Sequence, residues 1–328
     1  MMKNNVFTAA AAAAFCTIFL LTACQKSTSP EGSCQDGIQN QGETGVDCGG
    51  PCAACMTKKD SIIADYRDYY LGSELTDPGW TGKVDGCDAG TAPQSTHDKV
   101  TMRLNYFRRL AGLNDNITLD VSKFARYQQT ALMMKANNTL NHNPPNTWIC
   151  WTSDGASGAS TANLAIGSNA TAAITAFMRD NGSGNQPVGH RRWILHSAKM
   201  QFSYGTTNST MALGVIGVAN GNTKVPPFIA YPPDGYIPQT IVFGRWSFSV
   251  PGANFSAAQV NMKNESGSDI TVNVVSRTDN GYGDNTIVWE PQGIITNSDS
   301  DISYTVTVSG ITGAPQSSYN YTVTIVKP

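Results

Sequence analysis

Four histidines, at positions 97, 142, 190 and 196, are the side chains of this sequence able to exchange protons near neutral pH. A pair of them can act as general acid and general base. That chemistry also needs a nucleophile or a metal-activated water, plus a group that fixes the imidazole tautomer. No motif supplies either: there is no Gly-x-Ser-x-Gly elbow, no His-Glu-x-x-His pair and no phosphate loop. Hard oxygen ligands gather in one place. Asp36, Asn40, Glu43 and Asp47 offer the donors that Ca²⁺ prefers, but their spacing is not that of an EF-hand. A spacer pinned by disulfides, its acids solvated, accounts for them more simply. No cofactor is therefore expected, with Ca²⁺ the weak exception.

The sulfur chemistry points to a compartment. Residues 1–5 carry one Lys, and an 18-residue apolar stretch over 6–23 ends in Leu21-Thr22-Ala23-Cys24. A stretch of that length could just span a bilayer, yet its terminal position and the small residues before a Cys are those of a secretory signal. Those four residues resemble the lipobox of bacterial lipoproteins. The resemblance implies cleavage after residue 23, acylation of Cys24 and a lipid anchor in the bacterial envelope, at the outer membrane or cell surface. Several acyl chains, at about 0.8 kcal/mol per buried methylene, hold a protein on a membrane stably. Cleavage removes one Lys from a chain of net charge −2.

Of the eight cysteines, Cys16 leaves with the signal and Cys24 takes lipid. Six remain, an even number, in a compartment where disulfides persist. Cys34, Cys48, Cys52 and Cys55 are expected to form two bridges among themselves, pairing undecided, and Cys87 to bridge Cys150. An oxidising compartment favours these bridges over zinc on four thiolates. Before Cys48 the module offers only Ile38 and Val46 as sizeable apolar residues, too little to fold without covalent links. It resembles a short motif found near the termini of many exported bacterial surface proteins, which gives location rather than activity.

The elements that must position these groups follow from spacing. Length alone predicts two domains and a small module. Charged residues are 14% of the chain, against about 25% in an ordinary globular protein. With no run of five like charges, that argues against a nucleic-acid partner. Ile62, Ile63, Tyr66, Tyr69 and Tyr70 recur at helical spacing. So do Val100, Leu104, Phe107 and Ala111, then Phe124, Tyr127, Ala131 and Met134, then Ile174, Phe177 and Met178. Residues 211–218 read as a strand. Helices and strands mix without a βαβ rhythm, so the fold class is α+β.

Four stretches of this middle region share an order and spacing. They are Arg103 to Leu113; residues 125–142, ending Leu140-Asn141-His142; Ala162-Asn163-Leu164-Ala165; and Val188-Gly189-His190-Arg191-Arg192-Trp193-Ile194-Leu195. Together they resemble the CAP superfamily of cysteine-rich secretory and pathogenesis-related proteins, over about half the chain. The resemblance implies an α-β-α sandwich whose cleft carries His142 and His190, with Asn163 as a further cleft candidate; Asp180 is added as a candidate that the resemblance does not place. It also exposes a departure. The family lines its cleft with two glutamates beside the histidines; here Ala162 stands in one position and Ala172-Ala173 near the other. Two imidazoles without carboxylates make a poor zinc site, so no filled metal site is expected. His97 and His196 read as structural, Arg191 and Arg192 as solvated or paired charges, and Trp148, Trp151 and Trp193 as core.

Pro226-Pro227 and Pro232-Pro233-Asp234-Gly235 read as a linker. After it, Trp246/Phe248/Val250, Ile270/Val272/Val274, Ile302/Tyr304/Val306/Val308 and Tyr321/Val323/Ile325 alternate with period two. Five or six strands in that space predict an immunoglobulin-like all-β sandwich, with Trp289 and Tyr319 in its core. The organisation expected is thus a signal over 1–23, a lipidated, disulfide-rich module over 24–56, a CAP-like domain over 57–224 and a β-sandwich over 225–328. The leading functional expectation is a non-catalytic, surface-anchored lipoprotein. It touches the membrane through its anchor and binds an unknown small ligand or surface protein by its cleft or sandwich. A secreted hydrolase using His142 and His190 as acid and base, and a purely structural envelope protein, are the alternatives.

Overall fold

The computed structural model describes residues 34–218, 221, 225–277 and 281–328; the signal expected over 1–23 and the lipidation expected at Cys24 lie outside the described residues. The described residues fall into two compact units, one ending at Cys55 and the other beginning at Met56. In the first, Cys34 bridges Cys52 and Cys48 bridges Cys55. These are the two links that so apolar-poor a segment requires. In the second, Cys87 bridges Cys150, as their isolation in the sequence predicts.

The second unit is α+β. Its first helix, α1 (Lys58–Asp65), starts on a capping box in which Thr57 and Asp60 satisfy one another's backbone donors. It continues through one wider turn, Tyr66–Tyr70, which buries Tyr66 and Tyr70. Helix α2 (Gln94–Leu110) ends where Gly112 takes a φ of +74°, a left-handed conformation that a side chain would resist. There follow β1 (Thr118–Leu119), α3 (Phe124–Asn137), α4 (Ser153–Ser160), β2 (Ala162–Ile166), α5 (Ala170–Arg179), α6 (Gly189–Ile194), β3 (Gln201–Thr206) and β4 (Thr210–Gly214). The strands make one sheet in the order β1-β3-β4-β2, with β1 parallel to β3 and the other pairs antiparallel.

Strand periodicity sorts this sheet into two cores. Phe202, Tyr204, Met211 and Leu213 join the larger cluster with Val100, Leu104 and Phe107 of α2 and Ile174 and Phe177 of α5. Ala212 and Leu164 join Tyr127 and Met134 of α3 and Ala159 of α4. Helices therefore cover both faces. Helix α4 has no apolar stripe to announce it; its sequence is Ser-Asp-Gly-Ala-Ser-Gly-Ala-Ser. It forms because the Thr152 hydroxyl caps it by accepting from the Gly155 amide, and because its glycines let it lie close to α3. A Cβ on Gly158 would fall 2.3 Å from Thr130 Oγ1.

The proline stretch is not a simple linker. Residues between its prolines form β5 (Ile229–Tyr231) and β6 (Gly235–Pro238), followed by β7 (Trp246–Ser249), β8 (Gln259–Asn264), β9 (Asp269–Ile270), β10 (Val272–Ser276), β11 (Thr286–Pro291), β12 (Ile302–Ser309) and β13 (Ser318–Val326). Two sheets result, ordered β10-β11-β7-β5 and β6-β13-β12-β8-β9. Both proline-flanked strands sit at sheet edges, where a missing N–H breaks no ladder. The sheets meet through Phe248 against Tyr319 and Tyr321, and through Trp246 against Tyr304. Trp289 and Tyr319 are buried, as their pattern predicts. Phe107 of α2 also touches Tyr231 of β5, so helical and β regions share one core. Among the described residues, no helix is long and apolar enough to cross a membrane.

Candidate functional site

His142 and His190 line the same cleft, about 430 Å³ in volume. That falls within the range of about 300–1,000 Å³ usual for small-molecule sites. Asn163 of β2 and Trp193 of α6 line it as well, with Ser160, Asn185 and the exposed Tyr282. Trp193, expected in the core, is thus a wall of the cleft. Its spacing from Gly189 on α6 puts both on one helical face, and the ring of Tyr282 lies against Gly189: a Cβ there would meet Tyr282 Cδ2 at 2.8 Å.

Each imidazole is held from behind by its Nδ1. His142 Nδ1 lies 2.9 Å from the Ala159 carbonyl oxygen, and His190 Nδ1 lies 2.8 Å from Asp180 Oδ1. A carbonyl or carboxylate oxygen only accepts, so in each neutral ring Nδ1 carries the proton and Nε2 is left as a lone pair. The expectation of histidines stripped of acidic neighbours fails at His190. Asp180 supplies a carboxylate there, behind the ring rather than in the cleft wall. Asp180 closes α5 with a φ of +48°, which a short polar side chain tolerates. From there its second oxygen accepts from the backbone amides of His190 and Arg191 at 2.9 and 3.3 Å, satisfying donors at the start of α6. One carboxylate, fully removed from solvent, thus fixes both the helix and the ring that the helix carries. Asn163 donates from Nδ2 to the His190 carbonyl at 3.0 Å, tying β2 to the same turn.

The two arginines beside His190 are buried, not solvated. Arg191 donates to the carbonyls of Met178, Arg179 and Arg245 and to Ser247 Oγ, so one guanidinium ties α5, α6 and the chain at β7 together. Burial pulls it down to about 10. Arg192 donates to the Asp284 carbonyl, and the Asp284 carboxylate accepts from the Ser197 amide and hydroxyl at 2.7 and 3.0 Å. These bonds pin the segment that carries Tyr282 onto the helical region. Lys199, also buried, donates to the carbonyl of Val215 in the cleft wall, and burial pulls its ammonium down to about 8. His97 stacks on Phe124 and pairs with the Tyr204 hydroxyl, and His196 is largely buried near Asp284; both play structural parts.

The acids of the N-terminal module are engaged in folding it. Asp47 accepts from the amides of Asp36 and Gly37, Asp36 from its own Ile38 amide and from Asn40 Nδ2, and Glu43 from the amides of Asn40 and Asp47. These oxygens cap turns, which leaves the Ca²⁺ reading without a free ligand set. Cys34, Glu43 and Cys52 stand close enough together to enclose an ion. Two of the three are the halves of one disulfide, whose sulfurs are not thiolates, and thiolate is the form that ligates.

His142, His190, Asn163 and Asp180 therefore come together, with Asp180 in a supporting position. Tyr282, Ser160 and Asn185 carry no sequence signal; Tyr282 reaches the cleft from a loop 92 residues after His190. Compared with family models, with curated proteins and with solved structures, the chain matches none.

Proposed function

We propose that this chain is an exported, lipid-anchored envelope protein of CAP type, carrying an immunoglobulin-like β-sandwich, that binds a small ligand in the His142/His190 cleft without turning it over. The observation that carries the reading is that both imidazoles open on one cleft with Nδ1 engaged from behind and Nε2 left over. Helices on both faces of the sheet β1-β3-β4-β2, two facing β-sheets, three disulfides and the leader ending in Cys24 support the wider assignment. A non-catalytic role is favoured because Ser160, the serine among the described residues of the cleft wall, donates to the Ser157 carbonyl at 2.9 Å rather than to an imidazole. Among the described residues of the cleft, Ser160 does not make the contact with an imidazole that activates a serine.

The Asp180–His190 pair favours a second reading, a hydrolase in which His190 acts as general base. Screening wild type beside a His142→Ala/His190→Ala double variant on ester, peptide and glycoside substrates separates the two. Equal background in both is expected. Turnover lost in the double variant contradicts the non-catalytic reading. Anchoring is tested by fractionation: Cys24→Ala should move the protein from the membrane to the soluble fraction, and retention on the membrane overturns the anchor.

A further inference from the structure

We infer that the cleft takes a neutral saccharide and that Tyr282, delivered by the β region, is its specificity-determining wall. The inference rests on the reading of the cleft as a ligand site and adds the ligand's chemical class. Three features select it. First, among the described residues the cleft wall holds no Asp, Glu, Lys or Arg, so neither a cation nor an anion finds a charged partner. Second, the polar atoms left over are uncharged and include more acceptors than donors. The Nδ1 atoms of His142 and His190 and one N–H of each amide, Asn163 and Asn185, are committed to protein oxygens. What remains is two imidazole Nε2 lone pairs, two amide oxygens, one N–H on each amide and the Tyr282 hydroxyl. Such a surface calls for an uncharged ligand whose groups both donate and accept, as hydroxyls do. Third, two aromatic rings, Trp193 and Tyr282, stand in the same wall. Flat apolar faces among hydrogen-bonding groups match the C–H face and hydroxyl rim of a pyranose, and an aromatic body with a polar tip is suited to such half-wet contacts.

Tyr282 is placed for this by two devices already described: Gly189 leaves room for its ring against α6, and Asp284, two residues on, is bonded to Arg192 and Ser197. The β region thereby contributes a wall to a site otherwise built by the helical region. Because Tyr282 is 45% exposed, its removal leaves the core intact.

The test is calorimetric titration of the full chain with glucose, N-acetylglucosamine and its β-1,4-linked dimer, beside choline and inorganic phosphate. At least one saccharide should bind saturably, with affinity reduced about tenfold or more, at least 1.4 kcal/mol, in Tyr282→Ala. Tyr282→Phe, which keeps the ring, should stay near wild type, and His190→Ala should also weaken binding. Saccharide binding that ignores Tyr282→Ala and His190→Ala overturns the inference, as does the absence of binding by every saccharide. Binding of choline or phosphate alone, lost in His190→Ala, overturns the saccharide and leaves the cleft as a ligand site; no binding of any probe overturns the saccharide and counts against the cleft itself.

Discussion

Asp180 concentrates two structural duties in one buried carboxylate: it holds the amides at the start of α6 and it holds His190 Nδ1. Charge-assisted hydrogen bonds of this kind are each worth about 1.5–3 kcal/mol. Asp180→Asn keeps the shape but offers an N–H where the ring needs an acceptor. The variant should lose about 2–3 kcal/mol in urea unfolding, and its His190 should move the proton to Nε2, read by ¹⁵N NMR. Unchanged stability and an unchanged tautomer would show that Asp180 does not set the ring. His142 and His190 were visible in the sequence through a family resemblance, but Asp180's role was not. It depends on a left-handed turn that brings a side chain back across ten residues, and neither periodicity nor motif spacing encodes such a reversal. Tyr282 was less visible still, because its loop is brought to the cleft by tertiary bonds from Asp284.

At the level of elements, close approach matters as much as apolar area. On β3, an added Cβ at Gly205 would sit 2.1 Å from the backbone nitrogen of Gln128 in α3. Backbone cannot swing aside as a side chain can. Gly205→Ala should therefore lower stability by about 1–3 kcal/mol through overpacking, measured by urea unfolding. A neutral result would mean that α3 does not lie where described. The helices with apolar stripes and the alternating strands after residue 245 were legible because burial imposes those periods. Helix α4 was not, since its glycines and serines serve contact distance and capping rather than a stripe. Strands β5 and β6 were hidden by prolines, which read as linker until their edge positions are known.

For the whole molecule, buried titratable groups shape stability against pH. Burial lowers His97 and His196, although Asp98 and Asp284 respectively oppose the shift. Below the ordinary imidazole value of 6.5 the unfolded chain then takes up protons before the folded one. Stability present above that value is lost on acidification. Lys199 acts at the other end. With burial holding it at about 8 against an ordinary 10.5, its penalty is full below about pH 8 and is relieved as pH rises towards 10.5, by up to about 3 kcal/mol. Urea unfolding across this span should show an acid fall in wild type, and an alkaline gain that Lys199→Met abolishes. Parallel profiles for wild type and variant would remove Lys199 from the account.

The central claim is that both cleft histidines are held through Nδ1 and present Nε2 to one shared space. Long-range ¹H–¹⁵N NMR on histidine-labelled protein tests it most directly, at a pH where the rings are neutral and with His142→Gln and His190→Gln assigning the signals. The account predicts the Nδ1–H tautomer for both rings and a disturbance of each ring's signals when the other is replaced. A protonated Nε2 on either ring, or two rings indifferent to one another's replacement, would contradict it.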